Sequence, residues 1–320
     1  MKVLTIKAPG SDFAFSPDGK RIASATSSDE VVIRDTHTGR QLVVVKPRCQ
    51  RRVRCIAFSP DGKWLACGRE KGVLECLDAE TGQRSFFLVG HSTSGSIDSV
   101  AFHPDGKRCV SFCCQEMKIW DLQTRQQLRT RSTLFRVRCV RFSPDGKQIV
   151  HSHGGNVVLR DAERGSVLET FETSWPVLSV AFSPDGRRLV CGGVKALRFL
   201  DVKNLQETRA IESKNVITTV AFSPDGQYVF SGGYNDVATT VRDAKTGQIV
   251  KVLDGHGLPD VVDDIRFIAL STGGKRMVSA GGETIVVREM QNSERAENKQ
   301  HDDDERPQPA VRNGVLPVRE

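Results

Sequence analysis

Short apolar, β-branched runs separated by turn residues recur along the chain, and the sixth repeat shows the pattern most clearly. Residues 217–222, 228–231, 239–242 and 248–252 each have the composition of a short strand. Runs of this kind, bounded by Gly, Pro, Asn and Asp, are typical of β-strands. The pattern predicts a four-stranded antiparallel meander in each repeat, and no repeat has the spacing of an amphipathic helix.

The first two strands of each repeat are joined by a turn that begins Phe-Ser-Pro-Asp-Gly. Proline presets the backbone angle, aspartate can bond its own backbone, and glycine tolerates the left-handed conformation that closes the hairpin. Six copies match closely, and we align a degenerate, longer seventh copy from Phe267 to Lys275. The turn glycines are Gly19, Gly62, Gly106, Gly146, Gly186, Gly226 and Gly274. Their spacings of 43, 44, 40, 40, 40 and 48 residues predict seven units of a repeat array or a propeller.

Three further marks recur in phase with this turn: an Asp-x-x-Thr-Gly turn between strands three and four, a Gly-His pair between repeats, and one Trp-Asp pair. They lie at residues 35–39, 78–82 and 243–247, at Gly90-His91 and Gly255-His256, and at Trp120-Asp121. In these marks the chain resembles the WD-repeat family of β-propellers over about 290 of its 320 residues. The resemblance implies an all-β fold, a seven-bladed β-propeller of four-stranded antiparallel blades.

The resemblance also implies a hydrogen-bonded set of Asp, His, Ser or Thr, and Trp in each blade, which this chain carries only in part. The family's Trp position holds Trp120 once and otherwise Arg or Leu. These residues are Arg34, Arg160, Arg242 and Arg288, and Leu77 and Leu200. We expect the arginines to be structural, with each guanidinium bound to an acceptor, and a bound acidic ligand is the alternative.

The two ends of the chain complement each other. Residues 3–9 repeat the pattern of residues 42–47, the last strand of the first repeat, while the seventh repeat stops near Met290 without such a strand. An N-terminal strand that completes the seventh blade would remove an exposed sheet edge. We therefore expect a propeller over residues 1–290 and a charged, disordered C-terminal tail over residues 291–320.

The charge of the chain favours acidic partners. The net charge is +7, and residues 1–290 carry +9 because the tail has five Lys or Arg against seven Asp or Glu. The start is too short and too evenly charged for a signal peptide, and no apolar run is long enough to span a membrane. Nine scattered cysteines fit a reducing cytosol better than a disulfide framework. We expect a cytoplasmic protein that is a monomer and binds no membrane.

Motifs of the common enzyme classes are missing from the sequence. There is no Gly-x-Ser-x-Gly elbow, phosphate-binding loop or His-Glu-x-x-His zinc helix. His151 and His153 are a weak metal candidate, because they precede two glycines in a predicted loop and have no third ligand nearby. Cys113 and Cys114 are adjacent, so we expect them to pack in a strand. We expect no catalysis, cofactor or metal, and an enzyme that uses the central channel is the remaining alternative.

The loops before strand one and between strands two and three form the face that commonly contacts partners in the resembled family. Residues 46–54 carry five positive charges and no negative charge, and residues 68–72 and 129–138 add more arginines. Arginine's planar fork suits carboxylates and phosphates. The basic candidates for partner binding are Arg48, Arg51, Arg52, Arg54, Arg69, Arg136 and Arg138.

The loop into the seventh blade is acidic, and Asp260 and Asp263 join the candidates there. The second position of strand one varies most between repeats. From the second blade onward it reads Arg54, Asp98, Arg138, Leu178, Thr218 and Asp263. Trp175, between blades four and five, is either an interface anchor or a cover for the neighbouring blade, and both interpretations stay open.

These observations lead to one main hypothesis, a non-catalytic scaffold that binds an acidic protein segment on the basic loop face of blades two to four. Nucleic-acid or anionic-polymer binding on the same rim is the alternative, and it predicts an affinity that falls steeply with salt. The few aromatic residues argue against it, because stacking platforms usually need more. A solvated basic surface without a dedicated partner is the third interpretation.

Overall fold

The structure, a computed structural model, describes residues 2–47, 51–133, 135–234, 236, 238–254, 256–258, 261, 262 and 264–290. Its regular elements are strands, and no helix among these residues is long and apolar enough to cross a bilayer. The first half of the strands are β1 (Val3–Lys7), β2 (Asp12–Phe15), β3 (Arg21–Ala25), β4 (Val31–Asp35), β5 (Gln41–Val45), β6 (Val53–Phe58), β7 (Trp64–Arg69), β8 (Leu74–Asp78), β9 (Arg84–Leu88), β10 (Ile97–Phe102), β11 (Arg108–Cys113), β12 (Glu116–Asp121), β13 (Gln126–Ser132), β14 (Cys139–Phe142) and β15 (Gln148–His153). The second half are β16 (Asn156–Asp161), β17 (Val167–Glu172), β18 (Val177–Phe182), β19 (Arg188–Gly193), β20 (Ala196–Asp201), β21 (Glu207–Glu212), β22 (Ile217–Phe222), β23 (Tyr228–Gly233), β24 (Ala238–Asp243), β25 (Ile249–Asp254), β26 (Gly257–Leu258), β27 (Val261–Val262), β28 (Phe267–Leu270), β29 (Arg276–Ala280) and β30 (Thr284–Glu289).

Seven four-stranded antiparallel sheets form the blades of a propeller. Blades 1 to 6 each consist of four consecutive strands, from β2–β5 to β22–β25. Blade 7 has the order β28, β29, β30, β1, with Val3 opposite Arg288 and Lys7 opposite Thr284. A short β26–β27 hairpin lies in the linker between blades 6 and 7. The all-β, seven-bladed prediction and the closing role of the N-terminal strand are both confirmed.

The recurring turn between the first two strands is held by its own side chains. In blade 5, Ser183 Oγ donates to Asp185 Oδ1 at 2.5 Å and accepts from the backbone N–H of Arg188 at 2.9 Å. Gly186, at φ +70°, donates its N–H to the Ser183 carbonyl at 2.9 Å. The hydrogen bond from Ser183 is the first cause that holds the pKa of Asp185 below its ordinary value. The turn aspartates are therefore structural, as the sequence predicts.

The degenerate seventh turn has the same length as the others, contrary to the alignment made from the sequence. Gly274 donates its N–H to the Ser271 carbonyl at 2.7 Å, the bond that Gly19 makes to Ser16 at 2.9 Å. Leu270 therefore takes the position of the turn phenylalanine. Aligning from Phe267 was wrong by three residues, because both an aromatic and an aliphatic side chain fit this apolar site.

The apolar core lies between neighbouring blades. Each cluster of buried side chains combines strands of two adjacent sheets, as where Ala14 of blade 1 packs in the same cluster as Ile56 and Phe58 of blade 2. First strands of neighbouring blades contact each other, whereas fourth strands such as β17 and β21 are mostly exposed. The first strands therefore surround the central channel, and the fourth strands form the outer rim.

Candidate functional site

The antiparallel order gives the propeller two different ends. Turns between the first and second strands, and between the third and fourth, lie at one end, which we call the turn face. The opposite end, the linker face, carries the loops between the second and third strands and the linkers between blades. Every candidate residue that the structure describes belongs to the linker face.

A β-bulge sets the second position of the first strand apart. In blades 2, 3, 5 and 6 the register between the first two strands shifts at this residue. Its neighbours are buried while it is not, as with exposed Arg54 between Val53 and Cys55. A bulged residue leaves the ladder and its side chain is re-aimed. Because the first strands surround the channel, these residues form a ring at its mouth, which we call the mouth ring.

The mouth ring contains one residue from each blade. They are Ser11, Arg54, Asp98, Arg138, Leu178, Thr218 and Arg266. Arg266 occupies the position that the sequence alignment gave to Asp263. Its backbone N–H donates to the Ala280 carbonyl at 2.9 Å, as that of Arg138 does to the Ser152 carbonyl at 2.9 Å. The ring therefore carries three arginines and one aspartate.

Three of the predicted contacts, Arg48, Asp260 and Asp263, lie outside the described residues. In the linker between blades 1 and 2, Arg52 and Arg54 are exposed and Arg51 is half-buried. The Arg52 carbonyl accepts the N–H of Glu70 at 3.1 Å, which fixes this linker against the end of β7. Within the described part of the chain, the guanidinium groups of Arg52 and Arg54 form no ion pair, so both can receive a ligand.

Arg69 is buried, unlike the other basic candidates. Its side chain donates to Glu75 Oε2 at 2.7 Å and to the Arg51 carbonyl at 3.1 Å. Arg84 donates to the second oxygen of the same carboxylate at 2.6 Å. The sequence placed Arg69 in a loop, but it is the last residue of β7 and is 4% exposed. This burial takes Arg69 out of the surface available to a partner.

Arg136 is exposed and already paired. Its guanidinium binds both carboxylate oxygens of Asp98, through Nε to Oδ2 at 2.6 Å and through Nη2 to Oδ1. The hydrogen bond to Asp98 is the first cause that raises the pKa of Arg136. Arg138, two residues later, is exposed and has no ion pair among the described residues. The structure thus brings Arg54 and Arg138 to the mouth ring, with the neutralised Asp98–Arg136 pair of blade 3 between them.

Trp175 lies in the linker between blades 4 and 5 and is 39% exposed. The ammonium of Lys195 lies over its indole at 3.7 Å from the ring centroid, a cation–π contact. Its backbone N–H donates to Thr173 Oγ1 at 3.1 Å, which fixes the linker. One face of the indole is therefore occupied by Lys195, and the exposed remainder is available on the linker face.

Arg141 is a functional candidate that the sequence analysis missed. It is exposed although it lies in an innermost strand, so its side chain faces the channel, where Nη1 donates to the Val140 carbonyl at 2.8 Å. The other six blades have alanine at this position: Ala14, Ala57, Ala101, Ala181, Ala221 and Ala269. Burial raises the pKa of Asp12, in blade 1, to about 6, and the charge of Arg141 acts against this rise. An arginine at the one position where the other six blades have alanine was the signal that the sequence offered.

The described residues of the linker face show no candidate metal site. No group of three potential metal ligands occurs among the described residues. His151 and His153 end strand β15 rather than lying in a loop, and burial lowers the pKa of His151 to about 3. The same two rings are 5.6 Å apart and stacked. Their environment is that of packed strand residues.

A comparison with protein families gives one match. The family described as WD domain, G-beta repeat matches residues 41–74, 82–121, 165–194 and 205–238. Each match starts near or within the outer strand of one blade and continues into the next, as residues 82–121 include β9 to β12. The repeating sequence unit therefore contains the linker that forms the candidate site. A search of curated proteins finds no match.

Proposed function

Since the chain belongs to the WD-repeat family and folds as a seven-bladed β-propeller, we propose that it binds an acidic segment of another protein on the linker face of blades 2 to 4. Propellers of this family are commonly protein-interaction scaffolds and are generally not catalytic. The finer assignment, an acidic segment at a particular face, rests on this chain's own residues.

One observation carries the proposal: exposed arginines without a described ionic partner lie at the channel mouth in blades 2 and 4, on either side of blade 3. Arg52 and Arg54 come from blade 2 and its linker, and Arg138 comes from blade 4. A guanidinium binds a carboxylate through two parallel hydrogen bonds, which makes a run of Glu or Asp a suitable ligand. Arg141 in the channel offers a further cation to a side chain that enters the mouth.

Paired and buried arginines play a different part in this proposal. Asp98 holds Arg136 in place, so this pair orients the blade 3–4 linker rather than attracting the ligand. Arg69 supports the Arg51 carbonyl from below. Trp175 is the aromatic residue on the adjoining linker that supports an apolar contact beside the charged ones. We also propose a cytoplasmic location, which the eight free cysteines among the described residues support.

Affinity capture from a cell extract tests the proposal, with proteins and nucleic acid measured in the same eluate at low and moderate salt. The test variant is the triple change Arg52→Glu, Arg54→Glu and Arg138→Glu. We expect the wild-type chain to retain a discrete set of proteins at moderate salt, and the variant to lose it.

The matched control is Lys20→Glu, Lys107→Glu and Lys147→Glu, the same change in charge on exposed turn-face residues. We expect this control to capture the same proteins as the wild-type chain. Loss of capture in the control as well would show that only net charge matters. Bulk nucleic acid that is released at moderate salt would support the polymer-binding alternative instead.

A further inference from the structure

Two adjacent cysteines lie at the tip of a hairpin on the linker face of blade 3. Strands β11 and β12 pair through Cys113 and Glu116, which leaves Cys114 and Gln115 as the two loop residues. Cys113 is buried and Cys114 is exposed. Packing of both thiols in a strand, which we expected from their adjacency, is wrong for Cys114.

The backbone at Cys114 does not favour a cysteine. Its φ is +54°, in the left-handed region that side chains with a Cβ adopt at an energetic cost. Blade 4 has the same two-residue loop between His153 and Asn156, and there the equivalent residue is Gly154 at φ +52°. Neither packing nor turn geometry therefore requires a thiol here. Strained positions of this kind are frequent at functional sites.

The two thiols point to one place, beside Gly95 of the preceding linker. A methyl group built on Gly95 would lie 2.1 Å from Cys114 Sγ and 2.8 Å from Cys113 Sγ. Because both sulfur atoms approach the same point, they lie close to each other, and Gly95 leaves the space that they use. The Cys113 thiol also donates a long hydrogen bond to the Ser92 carbonyl, at 3.8 Å.

The surroundings of the pair give the two thiols different accessibility. Burial is the first cause that raises the pKa of Cys113 to about 12, so it is held as a thiol. Arg136 lies close enough that both cysteines contribute to the rise of its pKa, after its bond to Asp98. Cys114, an exposed residue near the charge of Arg136, is open to reagents from solution, whereas the buried Cys113 reacts with a group that is already bound to Cys114.

We propose that Cys113 and Cys114 form a reactive dithiol that small-molecule disulfides of the glutathione type modify. The Cys114 thiolate attacks one sulfur of the disulfide, forms a mixed disulfide and releases the first thiol. Cys113 then gives up its proton and attacks Cys114 Sγ, which breaks the mixed disulfide and releases the second thiol. The two cysteines lose two electrons, the reagent gains them, and the two protons end on the released thiols.

The experiment exposes the reduced full-length chain to oxidised glutathione, quenches with acid, alkylates free thiols and measures the tryptic peptide of residues 109–118. This peptide contains Cys109, Cys113 and Cys114. We expect an early species that carries one glutathione. A later species should be lighter than the fully reduced peptide by two hydrogens and carry a single alkyl group, on Cys109.

Two variants separate the roles. Cys113→Ser should stop at the mixed disulfide on Cys114. Cys114→Gly places in blade 3 the residue that blade 4 already has, so it should fold at least as stably and show no modification. The proposal would be overturned if all three cysteines of the wild-type chain were alkylated, or if glutathione were attached to Cys109. It would also be overturned if the Cys114→Gly chain reacted with oxidised glutathione. A mixed disulfide that persists in the wild-type chain would contradict the role of Cys113.

Discussion

A buried serine of the second strand accepts a hydrogen bond from chemically different donors in blades 1 and 3. In blade 3, Ser111 Oγ accepts the indole N–H of Trp120 at 2.8 Å and contacts His91 Nε2 at 2.7 Å. In blade 1, Arg34 Nη1 donates to Ser24 Oγ at 3.3 Å instead. The arginine supplies the N–H that tryptophan supplies elsewhere. The expectation that these arginines are structural is thus confirmed for Arg34.

In blade 4 an arginine again stands at the position of the tryptophan, and its acceptor is a histidine instead of a serine. Arg160 Nε donates to His151 Nε2 at 2.9 Å, and Nη1 donates to the Gly165 carbonyl at 2.9 Å. His151 stays neutral because burial lowers its pKa to about 3. A neutral imidazole accepts the guanidinium N–H, so the histidine read as a weak metal ligand is the acceptor of a structural bond.

Replacing Ser111 by Ala should destabilise the fold. The change leaves the indole N–H of Trp120 without its buried acceptor and Nε2 of His91 without the hydroxyl that donates to it, and each such loss is worth about 1–3 kcal/mol. We expect the free energy of unfolding to fall by about 2 kcal/mol, measured by urea denaturation. Ser231→Ala is the matched control, because this hydroxyl makes no side-chain bond among the described residues. Equal losses in both variants would contradict the assignment.

First strands are joined around the channel by a repeated bond from a side chain to the next blade. Ser99 Oγ accepts the N–H of Val140 at 3.2 Å, and Ser179 Oγ accepts that of Val220 at 3.2 Å. Blade 1 uses a carboxylate for the same purpose, since Asp12 Oδ2 accepts the N–H of a residue in β6 at 2.7 Å. Only this member of the series among the described residues can ionise near neutral pH.

Asp12 should therefore make stability depend on pH. Burial raises its pKa from 3.8 to about 6, so the folded chain holds the proton more tightly than the unfolded chain. The resulting stabilisation is complete below pH 3.8 and is lost as the pH rises through about 6. Asp12→Asn keeps the acceptor without the charge. We expect this variant to be more stable than the wild-type chain near neutral pH, by up to about 3 kcal/mol.

The urea midpoints of the two chains, measured near neutral pH and again at acid pH, give this comparison directly. Acid also protonates His91 and His151, whose pKa values burial lowers to about 4 and 3, but these residues are common to both chains. Their contribution therefore cancels in the difference. If the difference in stability between the two chains did not shrink towards acid pH, ionisation of Asp12 would carry no free-energy cost in the folded chain.

Strand β1 closes the ring, and its inward residue should carry most of its contribution. Ile6 is 9% exposed and packs with Ile285 and Val287 of β30. We expect Ile6→Ala to cost about 2–4 kcal/mol of unfolding free energy. Val3→Ala, in the same strand but 44% exposed, should cost less than about 0.5 kcal/mol. Calorimetry of both variants checks this. If Ile6→Ala cost as little unfolding free energy as Val3→Ala, strand β1 would contribute little to closure of the ring.

At the scale of the whole molecule, the sequence was sufficient for the fold because each blade repeats its own turn chemistry. It was insufficient where one blade departs from the pattern. Leu270 replaces the turn phenylalanine in blade 7, so the alignment of this blade was shifted and Asp263 was assigned to the position that Arg266 occupies. Contacts between distant residues were also invisible, since nothing in the sequence pairs Arg136 with Asp98 or buries Arg69 against Glu75. The site was thus predicted as a basic face, but not as a particular set of available arginines.

The division at residue 290 stays a prediction from composition. If residues 291–320 are a disordered tail, a chain that ends at Met290 should unfold at the same temperature as the full chain. Thermal unfolding followed by circular dichroism checks this. A clear decrease in the unfolding temperature would show that the tail packs on the propeller, and the domain boundary would have to move.

The most direct test of the proposed function is the affinity of the full chain for a fluorescent poly-glutamate peptide, measured by anisotropy at low and moderate salt. We expect the wild-type chain and the turn-face control, Lys20→Glu, Lys107→Glu and Lys147→Glu, to bind alike. The triple variant Arg52→Glu, Arg54→Glu and Arg138→Glu should bind at least tenfold more weakly, a loss of about 1.4 kcal/mol. Equal binding by all three chains, or no binding by the wild-type chain, would contradict an acidic ligand on the linker face.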